Sequence, residues 1–374
     1  MKICFVTHGN IEKLATMKRA TGMANHLTEY GHEVSILCTD VPENRKRICF
    51  ECPSVNVRWI SAISAFDEVK QKNKHLIEIS PDVVYVCSLG IRNWINRRVL
   101  SKCFSVVEHS ELSSIIIDKG FVGRLRARMI EWASIFLFDG QVCASRFLEL
   151  TFKNRMKKVG IERPIHYSPY AYNQETLKFP NIPGTTSFET YDGKTVILYM
   201  GTLTKNYGFF DILSSFNKLC GSRDDLVLLI MGHGRHEKAG ALYIDKHNLG
   251  ERVKLLGYIP EEDLALFFAR TDIFLSPLYD TLQDIARCPS KLFMYLPFQK
   301  PIITCSIGEA YELFGKSGFY YTSGDIDSLA ETIVRALDHV GLAYPAMDVS
   351  QHSWQERTAQ FIRWINDVSL NERR

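Results

Sequence analysis

The sequence predicts an α/β protein of two domains, each built on a parallel β-sheet. The 374 residues suffice for two hydrophobic cores. Strand-like apolar runs alternate with helical patterns along the chain, and a segment rich in Pro, Gly, Thr and Ser interrupts them at 180–191. The predicted bounds are an N-terminal domain at 1–174, a linker at 175–193, a C-terminal domain at 194–350 and a final helix at 351–374.

The composition is that of a globular protein, with 46% hydrophobic and 23% charged residues. No apolar run approaches the ~18 residues of a membrane-spanning helix, and the run at residues 1–9 is too short for a signal peptide. We therefore expect a cytoplasmic protein whose membrane contacts are at most peripheral. The ten cysteines are scattered among apolar runs, as buried thiols usually are, so we expect neither disulfides nor structural zinc.

Charge is unevenly distributed along the chain. Residues 1–174 contain 25 Lys plus Arg against 17 Asp plus Glu, whereas the remainder contains 20 against 25. This asymmetry favours a negatively charged partner for the first half, with a solvated basic surface as the alternative. Within 121–130, Arg124, Arg126 and Arg128 alternate with apolar side chains. Such a segment lies on an anionic bilayer, grips a lipid-linked phosphate, or is an ordinary surface helix.

A βαβ unit opens the chain. Lys2–Val6 is β-rich, His8 and Gly9 follow in a loop, a helical pattern runs over 17–30, and a second strand follows at 33–37. This order predicts parallel strands joined by right-handed crossovers. No G-x-G-x-x-G follows the first strand, so the sequence does not indicate dinucleotide binding.

A histidine follows one of the later strands of the first half, which are predicted at 55–59, 83–87 and 105–107. The run Glu108-His109-Ser110-Glu111 places His109 between two acids at the carboxyl end of a parallel strand. Binding and catalytic groups collect at that end. His109 is therefore either a site residue or a hydrogen-bonded structural residue.

Two glycine-bearing loops follow predicted strands in the second half. The strand at 195–200 leads into Gly201-Thr202-Leu203-Thr204-Lys205, and the strand at 226–231 leads into Gly232-His233-Gly234. Glycines between a strand and a helix let backbone N–H groups approach a phosphate, and Lys205 adds positive charge. These loops are weak indicators of a phosphate site when taken alone.

Residues 284–303 predict a loop, a helix that faces an anion, and a strand. Pro289 presets φ and Ser290 can accept from the first N–H groups of the helix, which places Lys291 in the first turn. Pro297 ends the helix, and an apolar run resumes at Ile302 as a buried strand. The alternative is an ordinary helix-to-strand step without a ligand.

These motifs resemble, in order, those of the retaining glycosyltransferases of family 4, which have the GT-B fold. PSKLFMYLPFQKPII at 289–303 resembles the donor-binding segment of that family. Further matches are GHEV at 31–34, the glycine loop at 201–208, GHG at 232–234, VKLLGYIP at 253–260 and SW at 353–354. The resemblance implies two Rossmann-like domains with parallel sheets that face each other across a cleft, and a metal-independent, retaining sugar transfer.

Several positions depart from the pattern of this family. Met294 and Ala286 occupy places where the family has acids for the ribose and the sugar, and Asp280 and Asp284 are nearby acids that can substitute. The phosphate-binding Arg and Lys of the family are replaced by the residues Thr202 and Tyr207. The resemblance then leaves the phosphates to two lysines and one arginine, namely Lys205, Lys291 and Arg287.

The resemblance also implies a role for each candidate residue. The catalytic residues are His109, Lys205 and Lys291. The donor-binding residues are Gly201, Thr202, Gly232, Gly234, Leu256, Tyr258, Asp284, Arg287, Ser290 and Leu292. The acceptor or membrane residues are His8, Gly9, Arg124, Arg126 and Arg128. We expect no metal, because no D-x-D motif lies in a plausible loop, and no cofactor besides a nucleoside-diphosphate-sugar co-substrate.

The predicted function is therefore transfer of a sugar from a UDP or GDP donor to a glycan or lipid-linked glycan, in capsule or lipopolysaccharide synthesis at the inner face of the plasma membrane. No nucleic acid partner is expected. A different class of function is a catalytically silent GT-B subunit that binds a partner glycosyltransferase or a glycan. An epimerase of the same fold is less favoured, because paired carboxylates are not evident.

Overall fold

A computed structural model of the chain describes residues 1–12, 17–116, 119–174, 191–345 and 347–371. It divides into two compact units. The N-terminal unit comprises Met1–Ala171, Ala286–Cys288 and Ser350–Arg374, and the C-terminal unit comprises Tyr172–Ile285 and Pro289–Val349. Most of the predicted linker, at 175–190, lies outside the described residues, so the predicted domain bounds stay a prediction.

The N-terminal unit is built around a parallel sheet. Its strands are β1 (Lys2–Val6), β2 (Glu33–Thr39), β3 (Asn56–Ile60), β4 (Val83–Val86), β5 (Phe104–His109), β6 (Gly140–Cys143) and β7 (Ile165–Tyr167). Its helices are α1 (Met17–Glu29), α2 (Pro42–Glu51), α3 (Ala65–Ile79), α4 (Arg97–Leu100), α5 (Phe121–Leu137) and α6 (Arg146–Lys158). Over the described residues the strand order is β3-β2-β1-β4-β5-β6-β7, with every neighbouring pair parallel.

The C-terminal unit repeats this architecture. Its strands are β8 (Thr195–Met200), β9 (Leu226–Met231), β10 (Val253–Gly257), β11 (Ile273–Leu275), β12 (Ile302–Thr304) and β13 (Phe319–Tyr320). Its helices are α7 (Phe209–Cys220), α8 (Glu237–Lys246), α9 (Glu261–Arg270), α10 (Leu282–Ala286), α11 (Ser290–Tyr295), α12 (Gly308–Phe314) and α13 (Ile326–Leu337). The described strands pair in parallel in the order β10-β9-β8-β11-β12-β13.

The last helix, α14 (Trp354–Asn371), belongs to the N-terminal unit. Its Trp354 packs on α1 where Gly22 leaves room, since a Cβ at Gly22 would lie 2.5 Å from the indole. Two turns further on, Phe361 contacts Tyr85 of β4 at a ring-centroid distance of 5.5 Å. These contacts make the end of the chain part of the N-terminal hydrophobic core.

The two-domain α/β prediction is confirmed, and the central strands explain why it succeeded. β1, β8 and β9 are buried on both faces, so each is a continuous apolar run that sequence alone locates. The sequence did not predict α3, because its inward face carries Glu68 and Lys72, which break the apolar periodicity. No helix in the described part of the chain has both the length and the hydropathy to cross a bilayer.

Candidate active site

Both sheets have a topological switch point, which is where ligands bind in open parallel sheets. In the C-terminal unit, β8 lies between β9 and β11, so the loops after β8 and β11 leave in opposite directions. The N-terminal sheet has the same arrangement at β1 and β4. The predicted phosphate loop begins directly after β8, and the loop with His8 and Gly9 begins directly after β1.

Two glycines allow the loops after β8 and β9 to approach each other closely. Gly232 has φ +116°, and a Cβ there would lie 2.0 Å from the carbonyl oxygen of Gly201. At Gly234 a Cβ would lie 2.3 Å from the carbonyl oxygen of Leu203. Side chains cannot occupy such positions without displacing backbone. The structure therefore brings together the predicted donor residues Gly201, Gly232 and Gly234.

Hydrogen bonds fix the two loops against each other. The N–H of Leu203 donates to the carbonyl of His233 (3.0 Å), and the N–H of His236 donates to the carbonyl of Leu203 (3.1 Å). The N–H of Lys205 donates to Nδ1 of His236 at 3.0 Å. On the other side, the Tyr279 hydroxyl lies 3.0 Å from the carbonyl oxygen of Lys205. The backbone of the phosphate loop is thus held before any ligand binds.

Lys291 reaches this loop from α11. Its Nζ lies 4.3 Å from the centroid of the Tyr199 ring, a cation–π contact. A Cβ at Gly201 would lie 2.7 Å from the same Nζ, so the ammonium lies directly against the backbone of this glycine. Tyr295 fixes the register of the helix, because its hydroxyl accepts from the N–H of Met200 at 3.1 Å. The packing of α11 against β8 therefore places Lys291 beside the loop that follows β8.

The other α11 residues differ from their predicted roles. Ser290 is the first helical residue after Pro289 and makes no capping hydrogen bond, so the predicted cap is wrong. Leu292 is fully buried, and its N–H donates to the carbonyl of Pro289, which makes it a core residue. Met294 is half-buried on the same helix. The helix also ends earlier than predicted, at Tyr295, and continues as a 3-10 turn through Phe298.

The strand predicted to contact the nucleotide base has an irregular end. The register between β10 and β9 shifts between Leu255 and Gly257, so Leu256 faces no partner residue on β9. The N–H of Tyr258 donates to Nε2 of His233 at 3.3 Å. Of the two predicted base contacts, Leu256 thus lies at the strand irregularity, and Tyr258 has its N–H bonded to His233.

Two predicted charged groups have structural roles or lie elsewhere. Asp284 is buried, and its carboxylate accepts from the N–H of Tyr279 at 2.7 Å, which shapes the loop after β11. Arg287 belongs to the N-terminal unit, within the short segment Ala286–Cys288, rather than to the C-terminal unit. The carbonyl of Ala286 anchors this segment by accepting from the Ser145 hydroxyl at 2.7 Å. By contrast, Thr202 and Lys205 are exposed in the phosphate loop.

His8 and Gly9 lie at the switch point of the N-terminal sheet. Asn44 of α2 pins their loop, because its Nδ2 donates to the Gly9 carbonyl and its Oδ1 accepts from the N–H of Ile11, both at 2.8 Å. Nδ1 of His8 faces Nδ2 of Asn93 at 3.0 Å. The predicted acceptor loop therefore has a defined shape, set by two asparagines that no sequence motif marks.

His109 is the last residue of β5 and is buried. Its Nε2 lies 2.8 Å from Oε1 of Gln141, and its ring stacks on Phe152 at a centroid distance of 3.7 Å. Burial lowers the pKa of His109 to about 4, with the hydrogen bond to Gln141 opposing and Arg155 adding to the shift. The structural role that the sequence left open is favoured over the catalytic one, because the ring is packed and Nε2 has a partner.

The three arginines of the basic segment are exposed on α5, as are Phe121 and Met129 on the same helix. Among the residues that the structure describes, no group of three or more His, Cys, Asp or Glu is arranged to hold a metal ion.

Sequence reasoning did not identify Tyr199, Tyr295 and His236, which position the phosphate loop. They lie in a strand, a helix and a turn, and no recognisable motif spacing marks them in the sequence.

The fold and the paired loops define a GT-B type protein. Solved structures agree over nearly the whole chain. A sucrose-phosphate synthase from Thermosynechococcus elongatus aligns with a TM-score of 0.73 at 13% identity, covering 99% of this chain and 100% of that one. Anabaena Alr3699/HepE, solved in complex with UDP-glucose, aligns with a TM-score of 0.67 at 14% identity, covering 100% and 98%. At these identities the likeness establishes the fold alone.

Residues 186–343 match the family model for Glycosyl transferases group 1, so this part of the chain is a domain of that family. The resemblance predicted from the sequence is confirmed. The chain is also similar to the Phosphatidylinositol N-acetylglucosaminyltransferase GPI3 subunit of Saccharomyces cerevisiae strain RM11-1a, at 30% identity over 107 residues. That match covers 29% of this chain and only 24% of the yeast protein.

Proposed function

We propose that the protein transfers a sugar from a nucleoside-diphosphate donor, with UDP or GDP as the nucleotide, to an acceptor bound by the N-terminal unit. The observation that carries the proposal is the convergence of Lys291, the loop after β8 and the glycine turn after β9 at one switch point. This convergence lies in a domain of the Glycosyl transferases group 1 family. Proteins similar to this chain include the yeast N-acetylglucosaminyltransferase subunit and Anabaena Alr3699/HepE, which was solved in complex with UDP-glucose.

In the proposed reaction, the bond between the anomeric carbon of the sugar and the donor phosphate oxygen breaks. The ammonium of Lys291 stabilises the negative charge that develops on the leaving nucleoside diphosphate, and Lys205 adds charge from the exposed side of the loop. The acceptor oxygen bonds to the anomeric carbon on the face that the phosphate leaves. A departing phosphate oxygen takes the proton of the acceptor. The reaction is thus retaining and needs no metal.

The competing hypothesis is a catalytically silent subunit that binds a partner glycosyltransferase or a glycan. Met294 favours it, since the resemblance places an acid at this position and the side chain is half-buried and apolar. The buried Asp284, engaged with the backbone of Tyr279, does not compensate. Binding and turnover of a nucleotide sugar distinguish the two hypotheses.

A thermal-shift panel of UDP, GDP, ADP, CDP and dTDP tests nucleotide binding. A ligand at 100 times its Kd stabilises the folded protein by about 2.7 kcal/mol, so one or two nucleotides should raise the Tm clearly. The Lys291→Met variant should lose most of this gain. Lys316→Met, which removes an exposed lysine of the same unit, should retain it. No shift with any nucleotide would favour the silent subunit.

We further propose a peripheral position on an anionic membrane, with a lipid-linked acceptor. Phe121, Val122 and Met129 are 75%, 77% and 66% exposed on α5. With Leu125 and Phe136 they form a stripe about 100° wide. The buried residues of the helix lie on the opposite face, namely Ala127, Glu131, Ser134 and Ile135.

Arginines border this stripe, which is the pattern of a helix that lies in a membrane interface. Arg126 falls on one border and Arg128 on the other, and Arg124 is exposed beyond Arg128 near the start of the helix. Each basic residue contributes about 1 kcal/mol near an anionic surface, and salt screens this attraction. Apolar insertion and charge attraction therefore act at the same face.

Sedimentation with vesicles tests the membrane proposal. The protein should bind vesicles containing phosphatidylglycerol at low salt, dissociate at high salt, and ignore pure phosphatidylcholine. Replacing Arg124, Arg126 and Arg128 by Ser should abolish binding without changing nucleotide affinity. The matched control removes the same charge from the C-terminal unit by replacing the exposed Lys238, Lys246 and Lys316, and it should bind as wild type. Equal partitioning of both triple variants would contradict the proposal.

A further inference from the structure

A buried hydrogen-bond chain connects α3 to the loop after β1. Nζ of Lys72 donates to Oε1 of Glu68 at 2.6 Å and to Oδ1 of Asn93 at 2.7 Å. These three residues are nearly inaccessible to solvent, with at most 2% exposed. Buried charges are tolerated only when paired and hydrogen-bonded, and Arg92 completes the arrangement by donating to the second oxygen of Glu68 at 2.7 Å.

The hydrogen-bond chain allows the side-chain amide of Asn93 only one orientation. An ammonium can only donate, so Oδ1 of Asn93 must face Lys72. A backbone carbonyl can only accept, so Nδ2 must face the carbonyl of Ser88, which lies 2.9 Å away. Both constraints agree, so the side-chain amide of Asn93 has one orientation. Nδ2 of Asn93 then donates its other hydrogen to Nδ1 of His8.

This contact decides the state of the imidazole. Nδ1 of His8 must carry a lone pair to accept from Asn93, so the proton of the neutral ring is on Nε2. Imidazolium is disfavoured, because Nδ1 would then present a hydrogen to the donor Nδ2. Burial also lowers the pKa of His8; Lys72 and Arg92 lower it further, and Glu68 opposes them.

We propose that His8 is a neutral hydrogen-bond donor to the acceptor substrate through Nε2–H, and that Lys72 and Asn93 are positioning residues that fix this tautomer. The ligand class is an oxygen acceptor, meaning a sugar hydroxyl or a phosphate oxygen of the acceptor molecule. His8 is half-buried at the switch point between β1 and β4, where such a ligand would bind. The identity of the ligand rests on the proposed function, whereas the tautomer does not.

Nitrogen NMR of ¹⁵N-histidine-labelled protein tests the tautomer independently of activity. The His8 signals are assigned by their loss in His8→Gln. At pH 7, Nδ1 should show the shift of an unprotonated nitrogen and Nε2 that of a protonated one. In Asn93→Asp, a carboxylate replaces the amide donor, so Nδ1 should become protonated. A protonated Nδ1 in wild type, or an unchanged Nδ1 in a folded Asn93→Asp variant, would overturn the proposal.

Kinetics then test the role in acceptor binding. His8→Phe, which keeps a ring but removes the donor, should lower kcat/KM for the acceptor about tenfold or more, mainly through KM. His8→Gln can donate from a similar place and should recover part of this loss. Both variants are first checked by Tm. Equal kcat/KM for wild type and His8→Phe would refute the role. If wild type binds no nucleotide at all, the proposed function fails while the NMR result still stands.

Discussion

The two units build the carboxyl edges of their sheets in different ways. In the C-terminal unit, the backbones of neighbouring loops contact each other directly. Glycines such as Gly232 and Gly234 permit these contacts, because a Cβ at either position would clash with the facing backbone. In the N-terminal unit, buried charged and polar side chains hold the loops, as Lys72 and Asn93 hold His8. The first solution leaves a mark in the local sequence, whereas the second depends on residues far apart in the chain.

Buried charge is concentrated in the N-terminal unit. Among the described residues, its buried charged side chains are Arg19, Glu51, Glu68, Lys72, Glu108, Glu131 and Arg357, whereas those of the C-terminal unit are Asp284 and Glu309. Because buried charges must be paired, the N-terminal unit should be sensitive to the loss of one partner. The C-terminal unit should instead be sensitive to added volume at its glycines.

The largest expected effect is on the buried pair of Arg19 and Glu108, which are 3.0 Å apart with no side-chain exposure. Arg19→Met leaves the carboxylate of Glu108 buried without its partner and should lower the free energy of unfolding by about 3–5 kcal/mol. Urea denaturation measures this change. Arg98→Met, at an exposed arginine of α4, should have little effect.

Restoration by a second substitution separates charge from packing. In Arg19→Met with Glu108→Gln, the uncompensated charge is gone, so most of the lost stability should return. If the double variant is as unstable as Arg19→Met alone, lost packing and the lost bonds from Arg19 to Ser168 are responsible. Buried charge would then not explain the sensitivity of the N-terminal unit to the loss of one partner.

The next effect tests the glycine approach in the C-terminal unit. Gly232→Ala places a Cβ at φ +116° and 2.0 Å from the carbonyl oxygen of Gly201. Left-handed strain of about 1–2 kcal/mol and overpacking of about 1–3 kcal/mol should together lower stability by about 2–5 kcal/mol. Gly250→Ala, where a Cβ meets nothing within 4 Å, is the control in the same denaturation series. Similar stability of both variants would show that the loops can separate freely.

The third prediction concerns catalysis at the edge of the C-terminal sheet. Lys291→Ala should lower kcat/KM for the nucleotide sugar by about 2–4 kcal/mol of transition-state stabilisation, because a preorganised cation is lost. Lys316→Ala is the matched control. Steady-state kinetics at several donor concentrations provide the measurement. A near wild-type kcat for Lys291→Ala would remove this lysine from the proposed mechanism.

The smallest effect is a pH dependence in the N-terminal unit. An unfolded chain binds a proton at His109 below pH 6.5, whereas the folded pKa is about 4. Stability should therefore fall as the pH falls from 6.5 toward 4, by on the order of 2 kcal/mol at pH 4.5. In His109→Phe this contribution should vanish, so its stability should change less between pH 7 and 4.5. Parallel pH profiles of the two proteins would indicate that His109 takes up protons in the folded state.

The amino-acid sequence was enough to predict the fold class and to locate the glycine loops of the C-terminal sheet. Buried parallel strands such as β8 and β9 are continuous apolar runs, and their bounds were predicted without error. Gly201, Gly232 and Gly234 were also located, because glycine loops follow these strands, although such loops alone are weak indicators of a phosphate site. Lys291 was located by the helix start at Pro289.

The packing of each candidate polar residue became visible only in the tertiary structure. His109 is packed because Gln141 and Phe152, 32 and 43 positions away in sequence numbering, meet it across strands and helices. Arg287 joins the N-terminal unit within the segment Ala286–Cys288, although the stretches on both sides of this segment belong to the other unit. The state of His8 depends on Lys72 and Asn93. A hydrogen-bond partner brought close by folding has no fixed spacing in the chain, so local patterns cannot reveal it.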